Sequence, residues 1–300
     1  MSCNTTDILA GQAQQYTQQP LKAADILLEL RENIPKNEPM WLVSLNTALA
    51  NVFLRLGEWR LALGSMDEIM ELLPAATEDE IRIKYSKSRN KAQLQSLLLN
   101  AYKCEILSLQ GRTLLQIGAL PQVADIFEAA KKSWKRAEVN INPALAKHRA
   151  VQIMPCQMVV NEALLTFSSR SMVQALQSFS KALEMLRSHN VLSLKYDKDM
   201  WTGPSIINFE ASNTVYSECI NNMALCSLYT CQMKDAVSLL EGLVREDPTS
   251  FLTERVAFNL CTLYELGSDS AVSARRKRVI QVIAKRFFLH DIGPESFRVT

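Results

Sequence analysis

Histidine and cysteine are the side chains in this sequence best suited to metal binding or nucleophilic catalysis, and their spacing argues against both. The three histidines, His148, His189 and His290, lie far apart, and none belongs to an HExxH motif. The seven cysteines form no CxxC pair, whereas a zinc site needs closely spaced ligands and a fourth partner. Cys219 and Cys226 are two helical turns apart, so packing on one apolar face explains them. We therefore predict no metal site and no cofactor.

Motifs for catalysis or nucleotide binding are also absent from the sequence. It contains no GxxxxGK[ST] phosphate loop, no GxGxxG fingerprint and no GxSxG nucleophile elbow. It offers no pairing of a nucleophile with a base at a recognisable spacing. We therefore predict that the chain is not an enzyme and acts by binding other proteins.

The densest charge run consists of Arg275, Arg276, Lys277 and Arg278. Four consecutive residues cover a full helical turn, so they do not share one face. A solvated helix end is the simplest interpretation. Contact with an acidic partner or with membrane headgroups is the alternative, and a nuclear import signal is a weaker one. The net charge of +2 gives no reason to expect nucleic acid as a partner.

Two asparagines, Asn221 and Asn222, begin an apolar helical stretch. We expect one of them to cap a helix or bind a neighbouring backbone, and the other to face a groove and hold a partner's main chain. A clamp for a terminal carboxylate is not expected. Thr47 stands where such a clamp needs lysine, and Leu109 stands where it needs the next asparagine.

The elements that must position these residues are helices. Hydrophobic residues make up 48% of the chain and charged residues 21%, which is ordinary for a soluble folded protein. Glycines are few, and Gly57, Gly118 and Gly267 stand where helical patterns end. The odd number of cysteines indicates reduced thiols in a cytosolic protein. Neither a signal peptide nor an apolar run of about 18 residues, as a membrane span needs, is recognisable.

One spacing pattern recurs along the chain. Ile220–Pro248 reads as two helices joined by a tight turn, with a small residue near the end of the first helix and another near the start of the second. A small residue or valine followed four positions later by a large apolar one recurs at Ala62/Met66, Val123/Phe127, Ala175/Phe179 and Ala236/Leu240. A single helix hairpin cannot bury its apolar face alone. The pattern therefore predicts an all-α solenoid of stacked antiparallel hairpins, similar to tetratricopeptide repeats (TPR).

The predicted organisation is a poorly ordered segment 1–19, a single repeat domain 20–286 and a C-terminal tail 287–300. The repeats are expected near 41–74, 100–134, 156–186, 217–248 and 253–284. A helix is also expected from Pro20 to about Asn33. Pro74 is expected to close the first repeat before an acidic loop at 75–80. The segment after Trp134 is expected to be irregular, with Pro143 and Pro155 bounding a basic helical segment around 144–154, and an insertion with a turn at Trp201 is expected over 187–213.

The residues expected to pack the repeats are small or apolar side chains on facing helices and glycines at turns. They are Leu49, Ala50, Phe53, Gly57, Ala62, Met66, Gly111, Gly118, Val123, Phe127, Ala163, Ala175, Phe179, Ala182, Ala224, Ala236, Leu240, Leu260 and Leu263.

A family resemblance is carried by the last third of the sequence and extends more loosely back to about Trp41. It depends on Asn221-Asn222, Lys234-Asp235, Glu246-Asp247-Pro248, the run 256–260 and the run 263–266. These features resemble the TPR region of subunit 12 of the trafficking protein particle (TRAPP) complex. Members of this family can carry a long, variable N-terminal region before the repeats, of which this sequence has almost none.

The resemblance implies a non-catalytic scaffold subunit of a vesicle-tethering complex that acts in endoplasmic reticulum-to-Golgi and Golgi trafficking. The implied partners are other TRAPP subunits and, indirectly, a Rab-type GTPase, whose exchange chemistry belongs to other subunits. The implied location is cytoplasmic, with peripheral association to Golgi or intermediate-compartment membranes. The repeats alone leave a second interpretation open, which is an adaptor that binds short peptide motifs in its concave groove.

Overall fold

The computed structural model describes residues 19–86, 90–141, 149–188, 211–290 and 292–297. Within these ranges the chain forms helices and short connections, and no β-strand occurs. The described residues divide into two compact units, which meet in sequence between Asn161 and Glu162. Most of the predicted segment 1–19, the residues His148 and His189, and the irregular segments near Pro143 and Trp201 lie outside the described ranges.

The first unit contains five complete helices and the first part of a sixth. They are α1 Pro20–Asn33, α2 Pro39–Leu56, α3 Trp59–Lys84, α4 Lys91–Gln116, α5 Leu120–Glu138 and α6 Arg149–Ser168. Each of the helices α1 to α5 packs against its neighbour in sequence. The pairs α2–α3 and α4–α5 are hairpins with short turns. Helix α1 begins and ends at the predicted residues.

The second unit contains the rest of α6 and the helices that follow it. They are α7 Met172–Ser188, α8 Ala211–Tyr229, α9 Met233–Glu246, α10 Pro248–Phe251, α11 Glu254–Gly267, α12 Ser270–Arg286 and a 3-10 turn at Pro294–Phe297. Helix α8 packs on both α7 and α9, and α11 packs on α9, α12 and the 3-10 turn. Each unit is thus an all-α stack of successive helix pairs, which confirms the predicted fold class.

Four of the hairpins share one turn geometry. Just after the first helix, Gly57, Gly118, Arg170 and Cys231 lie in the left-handed region, with φ of 75°, 76°, 61° and 62°. The amide of each donates to the carbonyl three residues earlier, and the following amide donates to the carbonyl five residues before itself. This Schellman arrangement satisfies carbonyls that the helix end leaves unpaired. It therefore reverses the chain in the same way in each hairpin.

Small and large residues keep a constant distance from the left-handed residue. A small residue precedes it by seven positions, a small residue or valine follows it by five, and a large apolar residue follows it by nine. The sets are Ala50, Ala62 and Met66; Gly111, Val123 and Phe127; Ala163, Ala175 and Phe179; and Ala224, Ala236 and Leu240. All of them are buried. The small side chains let the two helices approach closely, and the large one fills the space beside the crossing.

The predicted acidic loop at Ala75–Glu80 is wrong, because α3 continues through Pro74 to Lys84. An interior proline removes a helical hydrogen bond and crowds the preceding turn, which usually ends a helix. Here the residues beyond it are held by tertiary contacts. Ile81 is buried, and the hydroxyl of Tyr102 in α4 donates to Oε2 of Glu80 at 2.8 Å. These contacts outweigh the local preference of the proline.

Pro155 also lies inside a helix, so the prediction that it bounds a helical segment is wrong. Helix α6 begins at Arg149 and runs through Pro155 to Ser168. Met154 and Cys156, on either side of the proline, are buried. Burial on both sides keeps this part of the helix continuous despite the missing amide donor.

Candidate interaction surfaces

The described cysteines are buried except for Cys231. Within the described ranges no group of three or more histidine, cysteine, aspartate or glutamate side chains is placed to hold a metal. Burial raises the pKa of Cys156 to about 12 and that of Cys226 to about 11. Both thiols are therefore neutral near pH 7, whereas the thiolate is the nucleophilic form. Cys231 is exposed at the α8–α9 turn.

The predicted packing residues lie inside the helix pairs. Except for Gly57 and Gly118, which are exposed at turns, each of them is buried. Their contribution is to the shape of the stack rather than to a binding surface. None of the helices in the described ranges combines the length and apolarity that a membrane crossing requires. The exposed side chains that remain are the ones available to a partner.

Asn221 and Asn222 differ in their surroundings. Asn221 is buried, and its Oδ1 accepts a hydrogen bond from Nδ2 of Asn259 in α11 at 2.8 Å. It thus ties α8 to α11 through a side chain, not through the backbone. Asn222 is half-buried, and within the described residues its side-chain amide has no hydrogen-bond partner. Asn222 is therefore the one of the two that can bind another molecule.

An asparagine recurs nine residues before the turn in the last three hairpins, which the sequence analysis missed. The residues are Asn161, Asn222 and Asn259. In the first unit, Asn161 is buried and donates to Oγ of Ser108 at 2.8 Å, while its Oδ1 accepts from Gln157 at 3.1 Å. A buried amide needs such partners. The constant distance from the turn was the signal that could have identified this position.

Helices α8 and α11 are linked by the hydrogen bond between Asn221 and Asn259, and we call their exposed and half-buried apolar and amide side chains together the A-helix surface. It contains Asn222 and Tyr229 from α8 and Phe258 and Leu266 from α11. Tyr229 is 64% exposed and Leu266 is 61% exposed. The two occupy equivalent positions, each two residues before its turn. Exposed aromatic and aliphatic side chains on adjoining helices are typical of a protein-binding surface.

The A-helix surface is bounded by polar and aromatic contacts in the same unit. At one end, Arg255 of α11 lies 3.8 Å from Glu218 of α8. At the other end, the ring of Phe167 meets the ring of Tyr229 edge-on, with centroids 6.2 Å apart. The first contact joins α8 to α11, and the second joins α8 to α6.

The charge run lies in the middle of α12, so the interpretation of a solvated helix end is wrong. Lys277 is only 7% exposed and forms an ion pair with Glu265 of α11. The guanidinium of Arg276 lies over the ring of Tyr264, 5.2 Å from its centroid. Arg275 and Arg278 are exposed, and neither is paired with an acidic side chain in the described part of the chain. The helix continues because its face toward α11 stays buried as far as Ala284.

The last hairpin places charge where the others place an apolar side chain. Ser273 and Lys277 are buried and follow Ser268 by five and nine residues. They thus occupy the positions of Ala236 and Leu240 in the preceding hairpin. The ion pair between Lys277 and Glu265 replaces the apolar contact found in the other hairpins.

Beside the charge run, α12 carries an open recess of about 640 Å³, which we call the α12 surface. Its residues are Ala271, Ala274, Arg275, Arg278, Val279, Val282 and Ile283. Val279 is 53% exposed and Val282 is 63% exposed. This surface combines apolar side chains with two exposed guanidinium groups.

Comparison with known proteins finds similarity to a trafficking protein particle complex subunit from two organisms. No protein-family model matches the sequence. It is 26% identical over 182 residues to trafficking protein particle complex subunit 12 of Mus musculus, which covers 61% of this chain and 18% of the mouse protein. It is 35% identical over 79 residues to the subunit of the same name from Homo sapiens, which covers 26% of this chain and 10% of the human protein. The matched regions span less than a fifth of the length of each relative.

Proposed function

We propose that the chain is a non-catalytic scaffold subunit of the TRAPP vesicle-tethering complex. The observation that carries this proposal is the similarity over 182 residues to trafficking protein particle complex subunit 12. The fold supports it, because stacked helix hairpins expose long lateral surfaces that suit protein–protein contacts. In this role the chain binds other TRAPP subunits and contributes to endoplasmic reticulum-to-Golgi and Golgi transport.

The proposal extends to partners and location. The chain acts on a Rab-type GTPase only through other subunits, and it is cytoplasmic with peripheral association to Golgi or intermediate-compartment membranes. Its repeat domain covers 20–286 and is of the TPR type. The candidate partner-binding residues are Asn222 on the A-helix surface and Arg275 and Arg278 on the α12 surface. Asn221 and Lys277 are buried, and Arg276 is exposed with its guanidinium over the ring of Tyr264.

Affinity purification with quantitative mass spectrometry tests the proposal. The tagged chain is expected to enrich other TRAPP subunits over a tag-only control. Ala236→Trp, which overfills the buried α8–α9 crossing, is expected to reduce this enrichment. Gly242→Trp is the matched control, because Gly242 is an exposed residue of the same helix and a Cβ added there meets no atom within 4 Å. Repeated purifications of the folded chain without any TRAPP subunit would rule the proposal out.

A second candidate function is an adaptor that binds short peptide motifs. It is favoured by the exposed side chains of Tyr229, Phe258 and Leu266 on the A-helix surface. Screening a peptide array with wild-type chain and with the Tyr229→Ser/Leu266→Ser variant distinguishes it. Peptides that bind only the wild-type chain, in the absence of stably co-purifying subunits, would favour the adaptor over the scaffold.

A further inference from the structure

Helix α12 has an unusual charge composition. Ser270–Arg286 contains six basic residues and no acidic residue. Lys277 and Arg276 are engaged with Glu265 and Tyr264 of α11. Arg275 and Arg278 are exposed and line the α12 surface.

The α12 surface has the layout of a helix-packing seam. Its members recur every three or four residues from Ala271 to Val282, so they form one stripe about 16 Å long. Ala271 and Ala274 leave room for close approach of another backbone. Val279 and Val282 expose apolar area that such a helix would cover.

In the preceding hairpin, α8–α9, the side of the second helix that corresponds to the α12 surface is covered by a further helix. In α9, Glu241 directly follows Leu240, and its Oε1 accepts a hydrogen bond at 2.8 Å from the hydroxyl of Tyr264 in α11. In α12, Arg278 follows Lys277 in the same way. The side of α9 that packs against a further helix thus corresponds to the side of α12 that carries Arg278, with the charge inverted.

We propose that the α12 surface binds an acidic amphipathic helix of a partner chain. Apolar side chains of that helix would cover Val279 and Val282, and its carboxylates would pair with Arg275 and Arg278. Guanidinium and carboxylate groups form strong, charge-assisted hydrogen bonds, often two at a time. The proposal deepens the scaffold role by naming one surface and the class of partner that fits it, and it rests on that role.

An anionic membrane is the competing occupant. The apolar side chains of the seam are alanine, valine and isoleucine, whereas interfacial helices usually insert larger apolar side chains such as leucine, phenylalanine or tryptophan. The seam therefore favours a helix over a lipid surface, and the experiment includes both.

The experiment measures binding of a fluorescent synthetic peptide of about 18 residues, a helix with a leucine stripe flanked by glutamates. We expect the wild-type chain to bind it and Arg275→Glu/Arg278→Glu to weaken binding at least about tenfold. Lys181→Glu/Lys234→Glu is the matched control, and Lys285→Glu/Arg286→Glu extends the test along α12. Because Lys285 and Arg286 follow Arg278 and Val279 by seven residues and so continue the stripe, a smaller loss is expected there. Lys181→Glu/Lys234→Glu makes the same charge change at exposed residues of α7 and α9, away from the seam, and its binding should stay within about twofold. A peptide with lysine in place of each glutamate should bind the Arg275→Glu/Arg278→Glu variant more tightly than the wild type.

Several outcomes would overturn the proposal. One is an equal loss of peptide binding in Arg275→Glu/Arg278→Glu and in the matched control. Another is that the charge-reversed peptide shows no preference for the Arg275→Glu/Arg278→Glu variant. A third is that the chain binds phosphatidylserine-containing vesicles but not the peptide. Circular dichroism melting of each variant verifies that it is folded. If TRAPP subunits are recovered while the peptide fails to bind, this inference fails and the scaffold role stands. If the peptide binds as expected while no TRAPP subunit is recovered, the scaffold role fails and the docking surface stands.

Discussion

The ring of Phe127 in α5 occupies the space that a side chain on Gly111 of α4 would need. A Cβ built on Gly111 would lie 2.3 Å from Cε1 of Phe127, well inside van der Waals contact. The other three hairpins of this type have alanine at the equivalent position. The ring of Phe127 therefore packs directly against the backbone of α4 at Gly111.

Gly111→Ala should destabilise the protein by about 1–3 kcal/mol, because the methyl group forces the Phe127 ring or the helix to move. Gly64→Ala is the matched control, since Gly64 is an exposed helical residue with nothing within 4 Å of an added Cβ. It should raise the free energy of unfolding by up to about 1 kcal/mol. Chemical denaturation measures both. Phe127→Leu should lower the free energy of unfolding less in the Gly111→Ala background than in the wild type. Equal losses in the two backgrounds would argue against a contact between residues 111 and 127.

Pro74→Ala should stabilise the protein by about 2 kcal/mol. The substitution restores a backbone hydrogen bond in the middle of α3 and removes crowding of the preceding turn, partly offset by a more flexible unfolded chain. Pro248→Ala provides the comparison, because Pro248 stands at the first position of α10, where proline is favourable. That change should be neutral or slightly destabilising. A loss of stability on Pro74→Ala would show that α3 does not continue through this residue in solution.

Glu265→Ala should destabilise the protein by about 1–3 kcal/mol, because it leaves the largely buried ammonium of Lys277 without its carboxylate. Lys277→Met should leave the free energy of unfolding nearly unchanged or raise it. The substitution restores the apolar residue that the other hairpins have at this position, and the carboxylate of Glu265 is exposed and can be solvated. The double variant should therefore be more stable than Glu265→Ala alone. Additive losses in a double-mutant cycle would contradict a direct ion pair.

Asp247 should make stability depend on pH in the acid range. Hydrogen bonds from the side chains and amides of Thr249 and Ser250 hold the pKa of this carboxyl below its usual value. The charged cap therefore contributes stability above the pKa of the unfolded chain and loses it as pH falls through the lower folded pKa. Asp247→Ala should cost about 1 kcal/mol at pH 7 and less at pH 3, measured by urea denaturation.

A matched variant isolates the titration of Asp247. Asp247→Asn keeps an acceptor oxygen for α10 but cannot ionise, so it should retain most of the stability at pH 7 and lose less than the wild type on acidification. The same acid loss in the wild type and in Asp247→Asn would assign the pH dependence to other carboxyls.

The sequence predicted the hairpins well because their signals are local. Ala236 and Leu240 are four residues apart and mark one helix face, and a turn precedes them at a fixed distance. What it missed depends on distant contacts. Pro74 lies within a helix because Glu80 meets Tyr102, 22 residues further along the chain. Lys277 is buried because Glu265 of another helix pairs with it. The types of these two residues do not indicate that they pair.

The candidate surfaces were predicted only in part. The charge run was identified, but its division into inward and outward residues depends on where α11 lies. Tyr229 and Leu266 of the A-helix surface lie in two different hairpins, and no short-range pattern indicates that both are exposed. Asn222 was identified as a candidate, whereas its equivalence with Asn161 required the turn geometry.

The constant register of the hairpins bears on how the chain folds. In each of the four, the small residues on the two helices are twelve positions apart along the chain. Closing such a short loop costs little chain entropy, and a topology of local contacts folds quickly. Each hairpin can thus close soon after it leaves the ribosome and serve as a template for the next, so that assembly proceeds from the N-terminus during synthesis.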